Sequence, residues 1–115
     1  MNENIIEAKS FDFAVRIVLL YKHLTNNRRE FVMAKQLLRC GTSIGANVAE
    51  AEKGQSKADF NAKMNIALKE VNETCYWLRL LNRTGYLTEK EFLSMEKDIR
   101  EILAIITAIC KKTNI

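Results

Sequence analysis

The sequence predicts an all-α fold, an antiparallel four-helix bundle with up-down-up-down connections. Three observations lead there. Proline is absent and glycine occurs only four times in 115 residues, too few turn formers for an all-β chain. Apolar residues recur at helical spacing through four segments. The stretches between those segments are short and polar, which makes sequential helices antiparallel neighbours. With 48% hydrophobic residues the chain can bury a core, and its length fits a single domain over residues 1–115. No internal repeat, low-complexity tract or linker divides it.

Residues 1–9 read as a polar lead-in or a short helix extension. Ser10 is the expected N-cap, with Asp12 in the first turn facing the positive helix end. The first helix spans about 11–25. Phe13, Ile17, Leu20 and Leu24 form one apolar stripe on it, and Ala14, Val18 and Tyr21 form a second beside it. One stripe faces the core; the other needs cover, most simply from a second subunit. Asn26 to Arg29 read as a loop.

The second helix spans about 30–52 and is the crowded centre of the chain. Leu37, Ile44 and Val48 share a face, while Gly41, Ser43, Gly45, Ala46, Ala49 and Ala51 keep its surface small. Two internal glycines cost roughly 1 kcal/mol each relative to alanine, so another backbone is expected to come close there. Gly54 sits at a C-terminal position that favours glycine. Ser56 to Asp59 resemble a capping box with aspartate in place of glutamate.

The third helix, about 57–83, carries a sustained stripe from Phe60 through Met64, Ala67, Val71, Cys75, Leu78 and Leu81. Gly85 stops it. Thr88 to Glu91 form a full capping box, and the fourth helix follows over about 89–112. Phe92, Met95, Ile99, Ile102, Ile106, Ile109 and Cys110 point inward on it, and Lys111 and Lys112 sit at its negative end.

The chemistry-bearing residues are sparse. His23 is the only histidine, which leaves no second imidazole for a metal site and no Glu-x-x-His pairs for a di-iron bundle. Ser43 and Ser56 have no histidine base within a readable motif, and no glycine-rich phosphate loop occurs. Cys40, Cys75 and Cys110 are odd in number, far apart and embedded in apolar stripes, so reduced core thiols are expected. The expectation is a protein that is not an enzyme, with no catalytic, cofactor or metal site. No apolar run approaches the ~18 residues that span a bilayer. The polar, acidic N-terminus is no signal peptide, so no membrane association and a cytoplasmic location are expected. The net charge of +4 permits nucleic-acid binding without requiring it.

Two blocks carry a resemblance. The first comprises Arg39, then Ser43, Ile44, Asn47, Val48, Ala49 and Glu50, then Phe60 after a short loop. The second comprises Ala67, Glu73, Leu78, Gly85, Tyr86 and Leu87. Over about residues 10–112 the chain resembles the bacterial four-helix bundle proteins encoded by intervening sequences of 23S rRNA genes. Ser43, Asn47 and Glu50 are its signature residues. Ala51 stands where many members have glycine, and Lys69-Glu70 where many have a small pair, both on the seam between the second and third helices. The resemblance implies a small homo-oligomer, a pentamer, without enzyme activity. It also implies kinship with the pentameric accessory bundle of diversity-generating retroelements, which assists a reverse transcriptase.

Three sites follow from topology. Helices two and three fold back around residues 54–56, which sets Arg39 at the height of Glu73, or failing that Glu70, as a polar pair; a buried pair would cost about 3–5 kcal/mol to break, a surface pair about 0–1 kcal/mol. Tyr21, Tyr76, Trp77 and Leu80 are apolar surface for an oligomer interface, although Tyr76 and Trp77 are also able to stack nucleobases. Lys22, Arg28, Arg29, Arg79 and Arg83 share one end of the bundle, offset by Glu30, Glu89 and Glu91. Repeated around a ring, that end suits phosphate backbones. Arg28 and Arg29, in a loop expected to be exposed, are then replaceable without loss of stability. Two readings remain: a module that binds RNA or a nucleic-acid enzyme, or a scaffold or adaptor oligomer that binds a protein partner and no nucleic acid.

Overall fold

Four apolar stripes at helical spacing need one common core, and the four helices that carry them build it. The structure, a computed structural model, describes residues 2–113, with side chains from Ile5 onward. The helices are α1 (Asn2–Asn26), α2 (Val32–Glu52), α3 (Lys57–Arg83) and α4 (Glu89–Thr113). Each packs against its two neighbours in the cycle α1–α2–α3–α4, closing an up-down-up-down bundle of 43 × 20 × 19 Å. Ile17, Leu37, Ile44, Met64, Val71, Leu78, Ile99 and Ile106 line its axis, all fully buried.

α1 begins at Asn2, so Ser10 is not an N-cap. It lies buried in mid-helix, and its hydroxyl donates back to the Glu7 carbonyl at 3.2 Å. Ile6, one turn earlier, is also fully buried, which extends the core stripe toward the N-terminus. Met1 of the expected lead-in lies outside the described residues.

The glycines of α2 admit α1. A Cβ on Gly45 would stand 3.1 Å from the Ser10 carbonyl oxygen, a true backbone approach. At Gly41 the neighbour is a side chain: a Cβ there would lie 2.8–2.9 Å from three carbons of Ile17. α2 has no side-chain cap at Phe31; the Glu30 carboxylate accepts from the Ala34 N–H (2.8 Å) and the Val32 N–H (3.3 Å) instead. Gly54 is not left-handed as expected for a C-cap. Its place is close-packed instead: a Cβ would sit 3.2 Å from both the Ala51 carbonyl oxygen and the Asp59 Cβ.

Ser56 caps α3 by accepting from the Asp59 N–H at 3.1 Å. Gly85, at φ 89°, is the left-handed residue that ends it. Thr88 and Glu91 exchange both bonds of the capping box, at 2.8 and 3.1 Å. α4 meets α1 across a polar seam: Arg16 donates to Asp98 at 2.6 Å and to Ser94, and Lys9 pairs with Glu101 at 3.1 Å.

The second apolar face of α1 differs from the expected one. Ala14 and Tyr21 are half-buried at its flanks. The residues turned outward are Ile5, Phe11, Val15, Val18 and Leu19, with Phe11 67% and Leu19 60% exposed. Ile6 and Ser10 only lengthen the buried face of Phe13, Ile17 and Leu24; of the expected second stripe Val18 is outward, while Ala14 and Tyr21 lie on the flank of the buried face. From Ile5 to Leu19 the outward face runs about 21 Å at 1.5 Å per residue.

Candidate nucleic-acid interface

The α1–α2 loop and the α3–α4 loop touch. Arg28 on the first donates through Nη1 to the Tyr86 carbonyl (2.9 Å) and through Nη2 to the Gly85 carbonyl (3.0 Å). Its guanidinium also stands 5.2 Å from the Tyr86 ring centre. Arg28 is therefore a clamp between loops, in an exposed loop as expected but bonded across it, which argues against its replacement without loss of stability. Arg29 adopts a left-handed φ of 56° and lies 5.2 Å over the Phe31 ring. Lys22 is exposed at the same end, on the last turns of α1.

Arg79 and Arg83 are arranged differently. They lie one turn apart on α3, about 5–6 Å between Cβ atoms. With Tyr76, Leu80, Asn82 and Phe92 they line a groove of about 330 Å³ between α3 and the start of α4. No carboxylate lines it, and among the described residues neither arginine has an ion-pair partner. The groove continues along the α3–α4 seam past Cys75 to Arg100, which pairs with Glu96 at 3.5 Å. Of the acids expected to offset this end, Glu30 and Glu91 are occupied in capping α2 and α4. Sequence reasoning missed Phe92 as a surface residue: its periodicity marked it as core, yet it is half-buried and walls the groove.

Across the α2–α3 seam, Arg39 hydrogen-bonds Glu73, and its Nη1 lies 3.6 Å from Glu70. The pairing is as expected, and the seam is open: the Arg39 side chain is 50% exposed, so the pair is the surface alternative and not the buried one. Hydrogen bonding to Arg39 holds the Glu73 carboxyl below the usual range, with a smaller contribution from Trp77. The Trp77 indole N–H donates to the same carboxylate at 3.3 Å, and Tyr76 meets Trp77 edge to face at 5.1 Å. A chain of contacts thus runs from Arg39 through Glu73 and Trp77 to Tyr76. Leu80 is half-buried beside them, and Tyr21 packs inward against the core on α1.

The signature residues bond locally on α2. Ser43 donates to the Arg39 carbonyl (2.6 Å), Asn47 to the Ser43 carbonyl (2.8 Å), and Glu50 pairs with Lys63 of α3 at 2.8 Å. A wider hollow at the opposite end, about 480 Å³, is lined by that pair with Lys53 and Asp59, so its charges balance. The three thiols are free, and burial pushes each one up, which makes them poor nucleophiles. Cys75 is only half-buried, at the seam. Among the described residues no cluster of His, Cys, Asp and Glu is grouped to hold a metal, and no helix is long and apolar enough to cross a membrane.

The comparisons agree with this architecture. The family model described as 23S rRNA-intervening sequence protein matches residues 2–108. A crystal structure from Bacteroides thetaiotaomicron VPI-5482, a protein with unknown function from the S23 ribosomal protein family, is similar at 57% identity. The match covers 96% of this chain and 99% of that one, with a TM-score of 0.95. No curated protein matches. The chain belongs to the 23S rRNA-intervening sequence protein family.

Proposed function

We propose that this chain is a non-enzymatic, homo-oligomeric bundle that binds RNA or another nucleic acid through its loop end. The observation that carries the reading is the pair Arg79 and Arg83, free of ion-pair partners among the described residues and flanking a groove without a carboxylate. Lys22 adds charge at the same end, while Arg28 and Arg29 are engaged within the loops. Contacts of this kind go to phosphates, so binding is weakly sequence-specific and salt-sensitive.

Oligomerisation is part of the proposal. The outward stripe of α1 is a long apolar face on a small protein, and such faces mark interfaces. In a ring it meets a different patch of the next copy; the number five comes from the family resemblance. Several copies multiply modest contacts through effective concentration. A cytoplasmic location belongs to the same reading and fits three free thiols. The apolar stripe also supports the second reading, a scaffold that binds a protein partner and no nucleic acid.

Fluorescence anisotropy with a labelled structured RNA at low salt tests the proposal. Binding is expected, several-fold weaker in an Arg79→Glu/Arg83→Glu protein. No binding at low salt favours the scaffold. Light scattering is expected to give a multiple of the subunit mass; a monomer at micromolar concentration removes the ring.

A further inference from the structure

We propose that the α3–α4 groove seats an unpaired nucleotide, with the base against Tyr76 and Phe92 and the flanking phosphates on Arg79 and Arg83. The ligand is then single-stranded nucleic acid, or an unpaired stretch within a folded RNA, rather than a duplex. This rests on the reading that the loop end binds nucleic acid, and it adds what that end recognises.

Three features combine. The groove, at about 330 Å³, is of small-ligand size. A duplex keeps its base faces stacked inside and presents only phosphates and groove edges, so it has nothing to insert. An unpaired base is free to enter and stack. The composition suits such a unit: two aromatic rings for the base and two arginines one turn apart for the backbone, with no acid among the lining residues.

The third feature is that Tyr76 is held. A surface tyrosine usually moves among rotamers, and fixing it on binding costs affinity. Here Tyr76 is 54% exposed, yet Trp77 braces one side of it edge to face at 81°. Trp77 is itself fixed by its N–H bond to Glu73, and Glu73 by Arg39 on the neighbouring helix. This chain of contacts links α2 to a ring that lines the α3–α4 groove. The open side of Tyr76 faces the groove that Arg79, Arg83 and Phe92 share.

The test compares one labelled oligonucleotide of mixed sequence, single-stranded and annealed to its complement, against four proteins by anisotropy. Wild type is expected to bind the single strand about tenfold or more tightly than the duplex. Tyr76→Leu is expected to lower single-strand affinity about fivefold or more, the low end of what losing a base–aromatic stack costs, and to leave duplex affinity unchanged. Tyr76→Phe keeps the stack and full affinity. Arg79→Gln/Arg83→Gln weakens binding to both ligands. Trp77, the only tryptophan, supplies a second readout: its emission changes on binding the single strand and not the duplex. Helical circular dichroism confirms that each variant is folded. Equal affinity for both ligands with Tyr76→Leu unaffected overturns the stacking site and leaves the phosphate reading standing. Loss of binding in Tyr76→Phe also overturns it, since the hydroxyl would then be the contact. Binding of neither ligand overturns both.

Discussion

Substituting Gly41 by alanine tests the α1–α2 packing most sharply. The new methyl would stand 2.8 Å from Ile17 Cδ1 and Cγ1 and 2.9 Å from Cγ2. Carbon contacts are optimal near 3.5–4.0 Å, so three atoms of a fully buried side chain must shift together. Overpacking of this kind costs about 1–3 kcal/mol, and the alanine returns roughly 1 kcal/mol of helix propensity. The expected net effect is a loss of about 1 kcal/mol. Ile17→Ala removes all three opposing atoms and alone costs about 2–5 kcal/mol. In that background Gly41→Ala is expected to reverse sign and stabilise by about 1 kcal/mol, because it keeps its propensity gain and fills part of the cavity. The coupling across the cycle is then about 2 kcal/mol. Urea unfolding followed at 222 nm, at one fixed subunit concentration because an oligomer's stability depends on it, measures all four proteins. If Gly41→Ala stabilises the wild type, or the two changes add within about 0.5 kcal/mol, the close packing of Ile17 on Gly41 is refuted.

Other expectations concern the polar contacts and the outer face. Arg39→Met is expected to cost about 1 kcal/mol or less, since the pair is exposed and screened, and a loss of several kcal/mol on unfolding would restore the buried-pair idea. Because Glu73 is held below its ordinary carboxyl value, the pair's contribution is present above about pH 4.5 and fades as pH falls through the lowered one; the Arg39→Met protein should lack that acid-side loss in a pH series of melts. Arg28→Gln removes the interloop clamp and is expected to lower stability by about 1 kcal/mol, from two exposed carbonyl bonds at the low end of roughly 0.5–1.5 each. An unchanged melting temperature would show that the loops hold without it. Leu19→Lys on the outward stripe is expected to lower the mass seen by light scattering while leaving helical content intact, and an unchanged mass would place the interface elsewhere.

Much of the bundle was legible because its signals are local. The Thr88–Glu91 box, the Gly85 stop and the four apolar stripes depend on spacing alone. The first turns of α1 were only half legible: residues 1–9 read as a lead-in or a helix extension, because Ile5, Ile6 and Ala8 stand among Asn2, Glu3, Asn4, Glu7 and Lys9 and form too short a pattern to choose. On the outward face of α1 Val18 was legible, but its companions are Phe11, Val15 and Leu19 rather than Ala14 and Tyr21. Height along the bundle follows from counting residues back from a turn, and Arg39 does stand against Glu70 and Glu73. Depth does not follow from counting, because a seam residue's burial depends on how each helix is rotated. At the candidate site, topology brought Arg28 and Arg79 to one end. The difference between them comes from loop conformation, which turns the Gly85 and Tyr86 carbonyls toward Arg28 and leaves Arg79 and Arg83 facing a groove. The groove itself lies between the last turns of α3 and Phe92 at the start of α4, a depth that no spacing pattern encodes.

The salt dependence of binding bears most directly on the proposed function. Anisotropy titrations of a labelled single strand across a series of salt concentrations give the slope of log K against log salt, which falls by about 0.7 for each phosphate contact neutralised. If Arg79 and Arg83 carry the contacts, Arg79→Gln/Arg83→Gln should make the slope shallower by about 1.4 for each subunit engaged, while Arg29→Gln leaves it unchanged. A wild-type slope near zero, or one that the double substitution does not alter, would contradict phosphate recognition at this end of the bundle.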